Sequence, residues 1–121
     1  MRNYYLKLFS SLIALGLVIL GLVYYTLKQP VELSTDLLFI DGLWYKQDKT
    51  LFTGSFVSHT FEGKLYSTGS IKNGMMDGLL TTYYDNGSKE SECNFVNDTI
   101  VGDCIEYDGH GKIKASKTNK N

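Results

Sequence analysis

Residues 78–89 read GLLTTYYDNGSK, a run of strand-forming residues closed by turn residues, and the phrase returns on either side of itself. It stands at 54–64 as GSFVSHTFEGK and at 102–112 as GDCIEYDGHGK. Gly54, Gly78 and Gly102 thus recur every 24 residues, each answered nine residues later by Gly63, Gly87 and Gly111. Self-similarity at such a period marks stacked supersecondary units, none able to bury its apolar face alone. Leu79–Tyr84 and Ser91–Val96 are short and rich in Tyr, Thr, Phe and Val, and they are bounded by Asp85-Asn86-Gly87 and Asn97-Asp98. These are strands between turns. Asn86-Gly87 predicts a type I′ two-residue connection, because both positions tolerate positive φ, and Asn73-Gly74 offers the same chemistry at the other end of a unit. The glycines at 54, 78 and 102 fall where a strand begins and predict a bend or a close backbone approach there. The expected fold is all-β: a stack of antiparallel hairpins in three repeats, with a lead-in pair of strands over Leu43–Phe56.

The pattern of 78–89, joined to KNGMMDG at 72–78, resembles the bacterial variant of the MORN repeat. The lead-in Asp41-Gly42-Leu43-Trp44-Tyr45, with Phe52-Thr53-Gly54, is similar to the start of MORN-variant proteins described as antitoxins or immunity proteins. The resemblance covers roughly Asp41 to Lys114, and the middle unit fits best. The first unit has His59-Thr60-Phe61 where Tyr83-Tyr84-Asp85 stands, and the last reads as carrying an extra residue in Asp108-Gly109-His110-Gly111. The resemblance implies a binding fold without catalytic residues, and through the antitoxin description it implies a toxin partner.

From Leu8 to Leu27 the chain is uncharged and mostly apolar, long enough as a helix to cross the roughly 30 Å hydrocarbon core of a bilayer. Arg2 and Lys7 precede this stretch, and Glu32 and Asp36 follow Lys28, which favours a cytoplasmic N-terminus and an exported body. A cleaved signal peptide is the rival reading, but a small-x-small cleavage site is absent near Thr26–Gln29. The expected organisation is a cytoplasmic N-terminus at 1–7, a transmembrane helix at 8–27, a linker at 28–40, a repeat domain at 41–114 and a basic disordered tail at 115–121. This places the protein in the bacterial inner membrane with its C-terminal domain in the periplasm or at the cell exterior.

All 13 Asp and Glu of the chain lie between 31 and 111, against lysines at 46, 49, 64, 72 and 89 alone. An acidic body repels phosphate backbones and argues against nucleic-acid binding. Lys112, Lys114, Lys117 and Lys120 form a basic end, read either as solvated surface or as a contact for anionic lipid or an acidic partner. Cys93 and Cys104, the only cysteines, straddle the turn near Asn97 and would meet an oxidising compartment after export. A disulfide between neighbouring strands is expected.

Nucleophile elbows, phosphate-cradling glycine loops, zinc-protease and calcium-loop motifs are all missing from the sequence. With His59 and His110 the only histidines, metal-ligand spacing is missing too. The expectation is a protein without catalysis, cofactor or metal. Two functions remain: a module that masks a basic toxin or effector, and an envelope scaffold or assembly protein with no toxin partner. For masking, the expected contacts are Tyr83 or Tyr84 with Asp85, Glu90 and Glu92, the two tyrosines pointing to opposite faces of their strand. Core packing or cover for a neighbouring hairpin is the competing role for each tyrosine.

Overall fold

The computed structural model describes residues 2–27 and 29–118, with the side chains of the N-terminal helix described over 11–26. The N-terminal basic side chains, Lys28 and Lys120 lie outside the described residues. The chain is mostly β, built on antiparallel pairing. A helix α1 (Arg2–Leu27) comes first, then strand β1 (Val31–Glu32), a single turn α2 (Leu33–Asp36), and a hairpin of β2 (Leu37–Ile40) and β3 (Leu43–Lys46). The repeats follow as β4 (Gly54–His59), β5 (Leu65–Lys72), β6 (Met75–Met76), β7 (Gly78–Tyr83), β8 (Lys89–Val96), β9 (Thr99–Tyr107) and β10 (Ile113–Thr118). The main sheet runs β1-β4-β5-β7-β8-β9-β10 with β6 beside β5, and β2-β3 forms a second sheet of two strands.

Turn chemistry explains the regularity. At one end of the sheet Gly63, Gly87 and Gly111 each donate to the carbonyl three residues back, at 2.9, 2.8 and 2.9 Å, and in each case that residue's amide donates onward to 64, 88 or 112. These are three-residue loops in which the glycine forms the bulge. Gly87 has φ of 82° while Asn86 is not among the positive-φ residues, so the type I′ turn expected at Asn86-Gly87 is absent. Tyr83 pairs with Lys89 after a register shift, and that spacing needs one more loop residue than type I′ supplies. Asn73-Gly74 (φ 51° and 80°) and Asn97-Asp98 (φ 47° and 64°) do carry the type I′ signature. The last repeat closes like the others, with no extra residue at 108–111. Gly54 and Gly78 open β4 and β7, and Gly102 lies inside β9, so these three are strand glycines and only the other three sit in turns.

The units are also tied end to end at the same period. Gly74 N donates to Phe52 O at 2.8 Å, and Asp98 N donates to Met76 O at 2.9 Å, the same bond moved by 24 residues. Registered rows cross the whole sheet. Ser58, Ser67, Thr82, Ser91, Glu106 and Ala115 are successive partners on one face, and Val57, Thr68, Thr81, Glu92, Ile105 and Ser116 on the other.

The core lies at the N-terminal end of the first face, where Leu37, Phe52, Phe56 and Ile71 are buried with Val31, Leu33, Trp44, Met76 and Leu80 packed against them. Phe56 crosses to Gly69 on β5, where a Cβ would come within 2.8 Å of its ring. Burying a phenylalanine of this kind contributes about 2 to 3 kcal/mol. The β2–β3 hairpin caps this core, with Trp44 N donating to Gly74 O at 2.9 Å and Phe39 against Trp44 at 4.7 Å between ring centres.

The expected boundaries shift accordingly. Residues 28–40, expected as linker, contain β1, α2 and β2, because Val31 pairs in parallel with Phe56 and Leu37 reaches the core. The lead-in strand β3 pairs with β2, not with β4, since Leu43–Lys46 find partners across the tight turn at Asp41-Gly42. The tail expected to be disordered from 115 forms strand as far as Thr118, because β9 offers it an open edge and Thr118 pairs with Asp103. Among the described residues no helix is long and apolar enough to cross a membrane. The described side chains of α1, over 11–26, are all exposed.

Candidate functional site

Beyond Thr81 no described residue is buried, so the C-terminal strands are held by other means, and those means shape a site. Cys93 on β8 and Cys104 on β9 form a disulfide with Cα atoms 4.5 Å apart, joining neighbouring antiparallel strands as the spacing predicts. Next to it, on the first face, a cleft of about 330 Å³ is lined by Tyr84, Glu90, Ser91, Glu106, Tyr107 and Lys114. Tyr84, which follows the register shift between Thr82 and Tyr83, is part of that lining, and its phenol donates to Tyr107 O at 2.8 Å. Ser91 and Glu106 are direct cross-strand partners, and Lys117 Nζ donates to Glu106 Oε1 at 2.7 Å. That bond holds the Glu106 carboxyl below its usual range.

The opposite face carries a second polar cluster. Glu92 accepts from Lys89 Nζ at 2.6 Å and from the Tyr107 phenol at 2.6 Å. The lysine bond first, then the phenol, holds its carboxyl below the usual range, and the same contacts push Lys89 and Tyr107 up. Tyr83 lies on this face, half-buried, with its hydroxyl 3.4 Å from Thr68 Oγ1. Here Pro30, Val57, Thr68, Ser70 and Leu79 also border a shallow groove of about 430 Å³.

The residues named from sequence therefore divide. Tyr84 and Glu90 meet in the cleft, Tyr83 and Glu92 stand on the other face, and Asp85 sits in the turn with its carboxylate 2.9 Å from Lys64 Nζ. Tyr83 and Tyr84 do take opposite faces; both are half-buried, and the Tyr84 phenol is held by a backbone carbonyl. Sequence reasoning passed over Tyr107, Lys89, Glu106 and Lys114. Tyr107 was within reach, since it stands one period after Tyr83. Glu106 and Lys114 meet only through the β9–β10 register. Beside Lys114, and with Glu106 already paired to Lys117, the cleft offers the Glu90 carboxylate, a hydroxyl and an aromatic edge, a set suited to hydrogen bonds and an ion pair with a cationic group. Among the described residues no cluster of three or more His, Cys, Asp or Glu could hold a metal ion. No family model, curated protein or solved structure matches the chain.

Proposed function

We propose that this protein is a non-catalytic binding module, a MORN-variant type of hairpin stack anchored by α1 in the bacterial inner membrane, which masks a basic toxin or effector on the exported side. One observation carries the reading: Tyr84, Glu90 and Glu106 converge in an open cleft on an acidic body. An aromatic among carboxylates suits a basic protein surface, with charge speeding encounter and the ring supplying contact area. Two further features support the setting. The disulfide fits an oxidising compartment, and a helix apolar on all sides, with Leu20 66% and Leu12 64% exposed, belongs in apolar surroundings.

The test is protection of cells against a toxin encoded beside this gene. Tyr84→Ala and Glu90→Ala should each lose protection while the protein persists in the membrane at its normal level. If deletion of the gene alone causes envelope defects and no toxin sensitivity, the scaffold function holds and masking fails.

A further inference from the structure

We propose that the free edge of β10 takes up, as an added antiparallel strand, an extended segment of a partner protein in which acidic side chains alternate with apolar ones. This goes beyond the masking reading, because it needs no toxin.

β10 pairs with β9 through Ile113, Ala115, Ser116, Lys117 and Thr118. It ends the sheet, and no described strand lies beyond it. Inside the stack the corresponding side of β5 is filled by β7 and that of β8 by β9, both antiparallel. A strand added to β10 would repeat a pairing the fold already makes twice. At the other end of the sheet β1 has only two residues, paired in parallel, so β10 is the long open edge.

Side-chain placement selects the occupant. Ala115 and Lys117 oppose Glu106 and Cys104, on the face of the disulfide, while Ser116 opposes Ile105 on the other face. The register shift between Ile113 and Ala115 brings Lys114 to the cleft beside Glu106. Lys114 and Lys117 therefore flank one carboxylate on one face. Ile113, 62% exposed, stands across from Tyr107 at the start of the strand. Lys117 is 71% exposed in its pair with Glu106, a surface ion pair of the kind that exchanges partners easily. Successive residues of an added strand point to alternate faces. Carboxylates on one side would meet the two lysines, and apolar residues on the other would meet Ile113.

The same lysines disfavour the alternatives. A second copy pairing β10 with β10 would set lysine against lysine. A purely apolar strand would leave both charges beside unmatched surface, which is how edge lysines deter indiscriminate pairing. Among the described residues, 109–118 contain three lysines and no Asp or Glu, so this edge is a basic border on an acidic body.

The experiment uses the full chain in detergent micelles with three synthetic ten-residue probes: alternating Glu and Val, the same composition in two blocks, and alternating Lys and Val. Binding is read by fluorescence anisotropy and by amide hydrogen exchange. The alternating Glu/Val peptide should bind and slow exchange across 113–118. Lys114→Glu with Lys117→Glu should weaken that peptide by about tenfold or more and improve the Lys/Val peptide. Should the double variant fold poorly, the wild-type chain supplies the second measurement, since its affinity for the Glu/Val peptide should fall as salt rises. Equal binding of the block peptide, protection away from β10, indifference to charge reversal and to salt, or no binding by any probe would each overturn the proposal. Self-association that protects the same amides would assign the edge to a second copy instead.

Discussion

The first repeat and the last share a backbone period but not the forces that hold them. Phe56 in β4 is 1% exposed and crosses to Gly69. One period later Leu80 stands at that place opposite Cys93, half-buried, and a period further on it is Cys104. The position that carries an aromatic core in the first hairpin thus carries a covalent bond in the last. Cover explains the difference. Leu37, Phe52 and Trp44 pack against Phe56 and Ile71, whereas beyond Thr81 no described residue is buried, and an exposed apolar side chain there would gain little. Repeat periodicity fixes pairing and turns, and each unit then finds its stability according to what covers it.

This contrast can be broken most forcefully at Phe56. Phe56→Ala should cost about 3 to 5 kcal/mol, with the whole sheet unfolding in one denaturant transition. A loss below about 1 kcal/mol would mean that the N-terminal core does not hold the stack. Removing the bond at the other end should cost less and act locally. Cys93→Ser with Cys104→Ser should lose about 2 to 3 kcal/mol and speed hydrogen exchange in β8–β10 while β4 and β5 stay protected. Uniform acceleration across the sheet would erase the distinction between the two regions.

Close packing gives a finer probe. Gly69→Ala sets a methyl group against the Phe56 ring and should cost about 1 to 3 kcal/mol by overcrowding. Gly87→Val, in open space but at a φ of 82°, should cost at least about 1 kcal/mol through backbone strain alone. Melting temperatures of both variants check this, and a neutral Gly87→Val would remove the bulged loop from the account.

The smallest effect is that of acid. The Glu92 carboxyl is held low by Lys89 and Tyr107, so its contribution is present above its unfolded value of about 4.5 and is lost as pH falls through the lower folded value. Oxidised protein titrated from neutral to acid pH should show β8 and β9 loosening, and Glu92→Gln should blunt that dependence. An unchanged acid profile in the variant would mean that the Glu92 cluster does not help hold the C-terminal strands.

Much of this was legible in the sequence because it is local. A glycine nine residues after a glycine, an Asn-Gly or Asn-Asp pair and a run of Tyr, Thr and Val fix φ, turn and strand within a few residues, and two cysteines flanking a turn meet across it. The miss at Asn86-Gly87 came from a competition between two loops that the same residues permit. The strand register decided it. Tyr83 and Tyr84 could be sent to opposite faces by alternation alone, but that both would be half-buried, and which partners they would meet, depended on strands 15 to 23 residues away in sequence.

By itself, then, the sequence determined the period, the hairpins, the turns near 73 and 97 and the disulfide, since each follows from backbone preferences over short spans. Only the tertiary structure decided that Leu37 seals the core from within an expected linker, that the basic end continues as a strand to Thr118, and that Glu90, Glu106 and Lys114 share a cleft. Those outcomes depend on which surfaces are left open once neighbouring hairpins have paired. An unpaired edge or an uncovered apolar face gains free energy from whatever segment can reach it, and reach is a property of the folded molecule.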